Sequence, residues 1–242
     1  VAFYPFNGDA KDGSGFHHDG RVNGGSFVSD RFARPSSAFA LDGTTASIVV
    51  PNDSGLNFQN GITVNFWMIV RAFYDREQYP ISHGNWQNRW KISISNRHLR
   101  WTVKTSTGIK DLDSETQLSL DSMYNVTVTY SGSDMEIYLN GALDAFSSWS
   151  GALLPTSYDL TIGQDLPGDN NYNFKGVLEA GGAYVSPEAL VRMEGAFHAR
   201  FLPVWGSTET SGVGLGMLAD GPRRPGSTGR PKGVMISHRA IV

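Results

Sequence analysis

Short runs in which apolar and polar residues alternate dominate the first 178 residues of the chain. Turn-forming residues, chiefly Gly, Asn, Asp and Ser, separate these runs. Alternation with a period of two is typical of a strand that is buried on one face and solvated on the other. The runs are ASIVVP (46–51), ITVNFWMIV (62–70), WKISIS (90–95), LRWTVKT (99–105), YNVTVTYSG (124–132), MEIYLNG (135–141) and YDLTIG (158–163). Because no helical segments lie between them, they predict an all-β fold, a two-sheet antiparallel jelly-roll sandwich.

A different pattern begins after residue 178. In the stretch SPEALVRMEGAFHARFL, the apolar residues Leu190, Met193 and Phe197 recur at helical spacing. Ser and Pro stand at its start, as they do in the first turn of many helices, so a short C-terminal helix is predicted over residues 187–200. From residue 206 onward Gly, Ser, Thr, Pro and Arg prevail, and this composition predicts an irregular tail.

This change of pattern sets the predicted domain boundary. Residues 1–178 are expected to form one domain, and residues 179–242 an appended segment that is not an independent domain. A sandwich that ended at residue 178 would lack its last strand and expose an unpaired sheet edge. The segment VLEAGGAYV (177–185) is predicted to supply the closing strand, with Val177 facing the core.

Composition and charge narrow the class of protein. Of the 242 residues 40% are hydrophobic, and none is cysteine, which favours an ordinary folded core without disulfides. Twenty Lys and Arg against twenty-three Asp and Glu give a formal net charge of −3, so the basic surface of a nucleic-acid binder is not expected. The longest apolar runs, such as FWMIV (66–70), are far shorter than the roughly twenty residues of a spanning helix, so no membrane insertion is predicted.

The first three quarters of the chain resemble a known family. The segments that carry the resemblance are AFYPFNGDAKDGSGFHHDGRVNG (2–24), SSAFALDGTTASIVVP (36–51), ITVNFWM (62–68), YNVTVTYSGSDMEIYLNG (124–141) and LTIGQDLPGDNNYNFKGVL (160–178). They are similar to the laminin G-like, concanavalin A-like jelly-roll modules of secreted bacterial proteins. The resemblance implies a noncatalytic module that binds carbohydrates or proteins, often around a structural calcium ion. It also implies an extracellular or cell-surface location for the parent of residues 1–178.

The last quarter resembles another family. GGAYVSPE (181–188) and GSTET (206–210) are similar to segments of the adenylate-forming enzymes, the acyl-CoA synthetases and their relatives. STGRPKGVMISH (227–238) resembles the phosphate loop of the same family. In that family the phosphate loop precedes the TE segment, whereas here it follows. The inverted order predicts a chimeric or library-derived chain, and adenylation is not expected.

Three acidic residues form the predicted metal site. Calcium takes about six to eight oxygen ligands from carboxylates and carbonyls. Asp12, in GDAKDGSG, and Asp42, in LDG, stand where modules of this family carry ligand-bearing loops, and Glu179 stands where the closing strand carries an acid. The resemblance therefore implies a Ca²⁺ site formed by Asp12, Asp42 and Glu179. The alternative is that acids in Gly-rich turns accept hydrogen bonds from backbone amides only.

Four other residues form the predicted ligand site. Sugar rings stack on exposed aromatic side chains, and neighbouring polar side chains bind the hydroxyl groups. Trp86, Asn88 and Arg89 lie in one polar stretch, and Trp149 lies in a later loop. These residues are predicted to form a carbohydrate-binding surface. The alternative is that some of the tryptophans fill the core.

Two further clusters support an enzymatic alternative. His17 and His18, joined by Asp12 or Glu179, would hold a transition metal that activates water for hydrolysis. The acids of DLDSE (111–115) would resemble those of jelly-roll glycosidases if the segment were a strand, but its flanks favour a solvated loop. The expected function is a lectin-like, noncatalytic carbohydrate-binding module stabilised by calcium. The alternative is a metal-dependent hydrolase that acts on phosphoesters, esters or glycosides.

Overall fold

The computed structural model of the protein describes residues 2–181, 204–205 and 215–216. These residues contain one short helix, α1 (Asn85–Asn88), and a 3-10 turn at Ser54–Leu56. The strands of the described residues are β1 (Arg21–Asn23), β2 (Ser26–Val28), β3 (Ala38–Asp42), β4 (Ser47–Val50), β5 (Ile62–Val70), β6 (Gln78–His83), β7 (Trp90–Ser95), β8 (His98–Thr105), β9 (Gly108–Gln117), β10 (Met123–Tyr130), β11 (Asp134–Leu139), β12 (Ala142–Ser148), β13 (Leu160–Ile162), β14 (Lys175–Ala180), β15 (Val204–Trp205) and β16 (Leu215–Gly216).

Two antiparallel sheets of seven strands each form the sandwich. Sheet A has the order β1-β4-β13-β6-β7-β8-β9, and sheet B has the order β12-β11-β10-β5-β14-β3-β2. The all-β, two-sheet prediction is therefore confirmed. The predicted strands 62–70 and 90–95 coincide with β5 and β7, and the other predicted runs agree with strands to within a few residues.

The alternation of the sequence accounts for the core. In β7 and β8 the residues of one face, such as Ile92 and Trp101, are fully buried between the sheets and pair across the two strands. The indole Nε1 of Trp101 donates to the carbonyl oxygen of Thr129 at 3.0 Å, so its polar atom is satisfied inside the core. Asn140 and Gly141 both have positive φ, as a two-residue turn between β11 and β12 requires.

The closing strand is β14, which pairs with β3 on one side and β5 on the other. It runs to Ala180, two residues beyond the predicted domain boundary at residue 178. The prediction that Val177 faces the core is wrong: Leu178 belongs to the core cluster, and Val177 is only partly buried. Successive side chains of a strand point to opposite faces, so Val177 lies on the outer face of sheet B.

The chain divides into two units, residues 1–183 and 184–242. In the second unit, β15 pairs with β16 in antiparallel fashion. The predicted helix over residues 187–200 lies outside the described residues, and so does most of the predicted tail. None of the helices in the described part of the chain is long and apolar enough to cross a membrane.

Candidate functional site

A shallow, open depression lies beside β13 in sheet A. Its volume is about 490 Å³. The segment that leads into the strand forms one wall, and the loop that follows the strand forms the other. The lining residues are Ser157, Tyr158, Asp159, Leu166, Pro167, Gly168 and Asp169.

The second wall exists because the chain folds back over β13. Gly163 has a φ of 85°, and a Cβ at this position would overlap the side chain of Leu41, so the reversal favours glycine. The buried hydroxyl of Thr161 then donates to the carbonyl oxygens of Gln164 at 2.6 Å and Asp165 at 3.0 Å. These bonds bring the loop that begins at Gln164 back toward the start of the strand.

Exposed aromatic side chains lie at this end of sheet A. Tyr158 lines the depression with 42% of its surface exposed, and Trp86, on α1, is 44% exposed. The turn that starts α1 packs on the first wall, because a Cβ at Gly84 would overlap the side chain of Thr156. The Oδ1 atom of Asn85 then holds the turn by accepting from the backbone amide of Gln87 at 3.0 Å.

Two half-buried carboxylates, one on each wall, are fixed by one backbone amide each. Asp159 Oδ1 accepts from the amide of Asn52, and Asp169 Oδ1 accepts from the amide of Asn171, both at 2.9 Å. Within residues 2–181 no hydrogen bond engages the Oδ2 atom of either group. The depression therefore presents two oriented carboxylate oxygens that have unused acceptor capacity.

A third carboxylate, that of Asp165, is buried on the second wall. It is 5% exposed, and its Oδ1 atom has no hydrogen-bond partner among the described residues. Burial raises the pKa of Asp165 to about 6, and the nearby negative charge of Asp169 acts in the same direction. Contact with the Asn85 amide and the charge of Lys91 oppose these effects.

The buried imidazole of His83, in the same region, is uncharged at neutral pH. Burial, followed by the positive charge of Arg89, lowers the pKa of His83 to about 3. Its Nε2 atom lies 3.0 Å from Asn52 Oδ1, and the Asn52 side-chain amide donates to the carbonyl oxygen of Thr156. Because Asn52 also holds Asp159, this network links the sheet to the first wall.

The structure separates the four predicted ligand residues. Trp86 is exposed beside the depression, and Asn88 is half-buried, with its side-chain amide donating to Asn85 Oδ1 at 3.0 Å. Trp149 is half-buried, and its Nε1 atom donates to Thr105 Oγ1 at 3.1 Å near the turn between β8 and β9. In sheet A β8 is three strands from β13, about 14 Å at the usual strand spacing. Trp149 is therefore not part of the depression.

The prediction that Arg89 contacts a ligand is corrected by its position in the core. The side chain is 0% exposed and donates to three backbone carbonyl oxygens: Leu154 at 2.6 Å, Leu56 at 3.1 Å and Phe58 at 2.7 Å. Burial lowers its pKa to about 10, which still leaves the guanidinium charged at neutral pH. Arg89 thus links α1 to the segment around residues 56–58 and to Leu154.

Each of the three predicted calcium ligands is occupied by donors from the protein. Asp12 accepts hydrogen bonds from the backbone amides of Phe3, Ser14 and His18. Burial acts to raise the pKa of Asp12, but these bonds outweigh it and lower the pKa to about 2. This carboxylate therefore serves as the anchor of the N-terminal loop.

The other two predicted ligands are engaged in the same way. Asp42 Oδ1 accepts from the amides of three following residues, Thr44 to Ala46, and these bonds outweigh burial and hold its pKa well below its usual range. Glu179 is buried and accepts from the backbone amide of Arg31 at 2.9 Å and from its guanidinium at 2.7 Å.

The three carboxylates do not meet. In the β3–β14 pair, Asp42 is opposite Lys175 and Glu179 is opposite Ala38, a separation of four residues, or about 13 Å along the strand. In the part of the chain that is described, no group of three His, Cys, Asp or Glu side chains is arranged to hold a metal ion. The predicted set does not fit calcium, and the amide-binding alternative describes these acids.

The clusters behind the hydrolase alternative are engaged as well. His18 is buried, with Nε2 3.0 Å from Asp53 Oδ2 and Nδ1 3.4 Å from Asp12 Oδ2, whereas His17 is exposed, so the pair does not converge. The loop prediction for 111–115 is wrong, because these residues lie in β9, where residues 111–113 pair in register with β8 and a bulge follows. Both carboxylate oxygens of Asp113 accept from the Arg100 guanidinium, at 2.6 and 2.8 Å.

Sequence reasoning did not identify Tyr158, Asp159 and Asp169 as site residues. Tyr158 and Asp159 fall in the run predicted as a strand, and β13 in fact begins at Leu160. The turn residues of DLPGDNN (165–171) were the available signal, since Gly, Pro, Asp and Asn together predict an exposed loop. The alternation of the sequence carries no information on where that loop folds back.

The two antiparallel sheets, with a depression beside β13, define a jelly-roll β-sandwich. The family model described as the concanavalin A-like lectin/glucanases superfamily matches residues 42–180, more than half of the chain. The chain belongs to this superfamily. A search of the curated proteins found no match. The matched range ends where the predicted resemblance to adenylate-forming enzymes begins, and that resemblance stays a prediction.

Solved structures share the fold at low sequence identity. The binding domain of Paraclostridial Mosquitocidal Protein 1 is 21% identical, with a TM-score of 0.61 over 74% of this chain and 47% of that chain. Domain 4 of AbnA, a GH43 extracellular arabinanase from Geobacillus stearothermophilus in complex with arabinotriose, is 16% identical, with a TM-score of 0.61 over 78% and 94%. The botulinum neurotoxin serotype D ligand binding domain in complex with N-acetylneuraminic acid is 18% identical, with a TM-score of 0.60 over 81% and 50%. This chain spans about half the length of the two toxin binding domains.

Proposed function

We propose that this protein is a noncatalytic carbohydrate-binding module and that its ligand occupies the depression beside β13. One observation carries the proposal: an exposed Tyr158 ring lies in an open depression with two anchored carboxylates. An aromatic ring stacks on the CH face of a sugar, and carboxylate oxygens accept hydrogen bonds from its hydroxyls. The volume of about 490 Å³ falls within the range of roughly 300–1,000 Å³ of small-molecule sites.

Fold relatives support sugars as the ligand class. One relative is described in complex with arabinotriose and another in complex with N-acetylneuraminic acid. The first sugar is neutral and the second carries a carboxylate, so these relatives do not indicate whether the ligand of this protein is charged. Because the arabinanase is an extracellular enzyme, we extend the proposal to a parent protein that acts outside the cell.

Binding rather than bond cleavage is the chemistry that the lining supports. The carboxylates of Asp159 and Asp169 are each held by a backbone amide, which fixes them as acceptors for the hydroxyl groups of a bound sugar. The buried acid, Asp165, has no hydrogen bond to Oδ1 that would orient it toward a reacting atom. Calcium stabilisation and a chimeric origin stay predictions, and the proposal does not depend on them.

A glycan array with the full chain, followed by calorimetric titration of the best neutral oligosaccharide, tests the proposal. Tyr158→Ala is expected to weaken binding about three- to tenfold, since aromatic contacts contribute about 0.5–1.5 kcal/mol. Trp86→Ala should weaken binding if the ligand extends onto α1. Phe146→Ala, which removes an exposed ring from the edge strand β12, is the matched control and should leave affinity unchanged.

The results that contradict the proposal are specific. An array without any bound glycan would refute carbohydrate binding. Equal losses in Tyr158→Ala and Phe146→Ala would place the ligand away from the depression. Far-ultraviolet circular dichroism of each variant separates a lost contact from a lost fold.

A further inference from the structure

The charged residues that line the depression are all acidic. Its two charged lining residues, Asp159 and Asp169, are carboxylates on opposite walls, and no Lys or Arg is among the lining residues. Each has its Oδ1 atom fixed by one backbone amide, so the position of the remaining oxygen is set before any ligand binds. Two fixed anionic acceptors favour a ligand that brings cationic donors.

The buried carboxylate on the second wall adds to this charge. Asp165 Oδ1 is a buried acceptor without a hydrogen-bond partner among the described residues. The charge of Asp169 acts on Asp165 directly, so the two groups belong to one electrostatic environment. Asp165 Oδ1, an unsatisfied buried acceptor beside the half-buried Asp169, is stabilised when a positive charge approaches.

The two buried basic side chains of this region, Lys91 and Arg89, are already engaged by groups of the protein. Lys91 pairs with Glu77 and donates to Ser93 Oγ at 3.0 Å. Arg89 is buried and directed at three backbone carbonyl oxygens. Neither cation lines the depression or faces a ligand placed in it.

We propose that the depression selects amino sugars, whose unacetylated amine is an ammonium group that binds between Asp159 and Asp169, and that it rejects acidic sugars. The inference rests on the proposed function, because it names the class of sugar that the same site takes. A neutral sugar makes the stacking contact and donates hydroxyl hydrogens. An amino sugar adds a charge-assisted hydrogen bond, and a uronic acid adds repulsion from both walls.

Three tetrasaccharides with the same β-1,4 linkage test the expected order of affinity, in which the amino sugar binds most tightly and the acidic sugar most weakly. One is made of glucosamine, one of glucose and one of glucuronic acid. Calorimetric titration of the full chain at pH 7 is expected to give about fivefold tighter binding of the glucosamine oligomer than of the glucose oligomer. The glucuronic acid oligomer is expected to bind at least fivefold more weakly than glucose. Added salt should reduce both differences, because it screens exposed charges.

The matched variants separate a local effect from the net charge of the protein. Asp159→Asn/Asp169→Asn should abolish the preference for glucosamine over glucose. Glu115→Gln/Asp121→Asn changes the net charge equally at two acids that do not line the depression, one on β9 and one in the segment after it that contacts the end of β5, and should retain the preference.

Equal or tighter binding of the glucose or glucuronic acid oligomer would overturn the inference, and so would a preference that survives in Asp159→Asn/Asp169→Asn. If the glucose oligomer binds and Tyr158→Ala weakens that binding, the proposed function holds, whichever of the three oligomers binds most tightly. If none of the three oligomers binds and the glycan array is also empty, the proposed function fails and the inference fails with it.

Discussion

Replacement of Asp165 by Asn tests the electrostatics of the depression through the stability of the fold. The pKa of Asp165 is raised from 3.8 to about 6, so the folded protein holds the proton of this group more tightly than the unfolded chain does. Stability from this group is therefore fully present below about pH 4 and is lost as the pH rises through 6. Above pH 6 the folded protein carries a buried, ionised Asp165 beside Asp169.

The magnitude follows from the size of the shift. A change of roughly two pKa units corresponds to about 3 kcal/mol at 1.36 kcal/mol per unit. Because the side chain is only 5% exposed, solvent screening removes little of this value. Asn cannot ionise, and at pH 4 the unfolded wild-type chain is already partly ionised at this position, so the free energy of unfolding of Asp165→Asn, relative to wild type, should increase by about 2–2.5 kcal/mol between pH 4 and pH 7.

Urea denaturation followed by tryptophan fluorescence at pH 4, 5, 6 and 7 measures this difference. The lowered pKa of His83, about 3, makes stability fall with decreasing pH from about 6.5, opposite in sign to the effect of Asp165. His83 is present in both proteins, so its contribution cancels in the comparison. Glu115→Gln, which removes an exposed acid from β9, controls for net charge and should give a small, constant difference. A difference between Asp165→Asn and wild type that varies by less than about 1 kcal/mol across this range would refute the reasoning.

Three further changes test the fold and the metal prediction. Arg89→Met should lower the free energy of unfolding by about 3 kcal/mol or more, because three carbonyl oxygens lose a charged donor; a loss below about 1 kcal/mol in urea would contradict a structural role. Gly176→Ala should lower the free energy of unfolding by about 1–3 kcal/mol or more, because the new methyl group overlaps the carbonyl oxygen of Ile69 in β5 and the ring of Phe174. Gly13→Ala, whose methyl group comes close only to the ring edge of Phe3, should cost less in the same assay. Asp42→Asn should leave the difference in thermal midpoint between calcium and EDTA unchanged, because the three predicted ligands are occupied and separated; a calcium-dependent rise that Asp42→Asn abolishes would restore the predicted site.

The sequence predicted the sandwich because its strands are locally encoded. In β7 apolar and polar residues alternate from the first residue of the strand to the last, and β5 alternates over ITVN before the apolar run FWMIV, so pattern and structure agree at both ends of each strand. The orientation of β14 was less predictable. Val177 and Leu178 are both apolar, so the sequence does not show which of them faces the core. The register decides this: Gly176 pairs with Val70, and Leu178, two residues later, points to the same face of the sheet, which is the core face.

Arg89 shows why the site was harder to predict than the fold. A charged residue in a polar stretch is exposed in most proteins, so the sequence favoured a surface position. The oxygens that bind it belong to residues 31 to 65 positions away in the chain, and no local pattern reports their convergence. The same limit applies to the depression, whose second wall depends on the hydroxyl of one buried threonine.

The number of protein donors that each carboxylate binds distinguishes the structural acids from the ligand-binding candidates. A carboxylate has about four acceptor positions. Asp42 accepts from three backbone amides and a threonine hydroxyl, so it has little capacity for a ligand, whereas Asp159 and Asp169 each accept from one amide. All three stand near turn residues and look alike in the sequence. The candidate chemistry therefore lies beside β13, because Asp159 and Asp169 keep acceptor positions that the fold does not use and line a depression together with Tyr158.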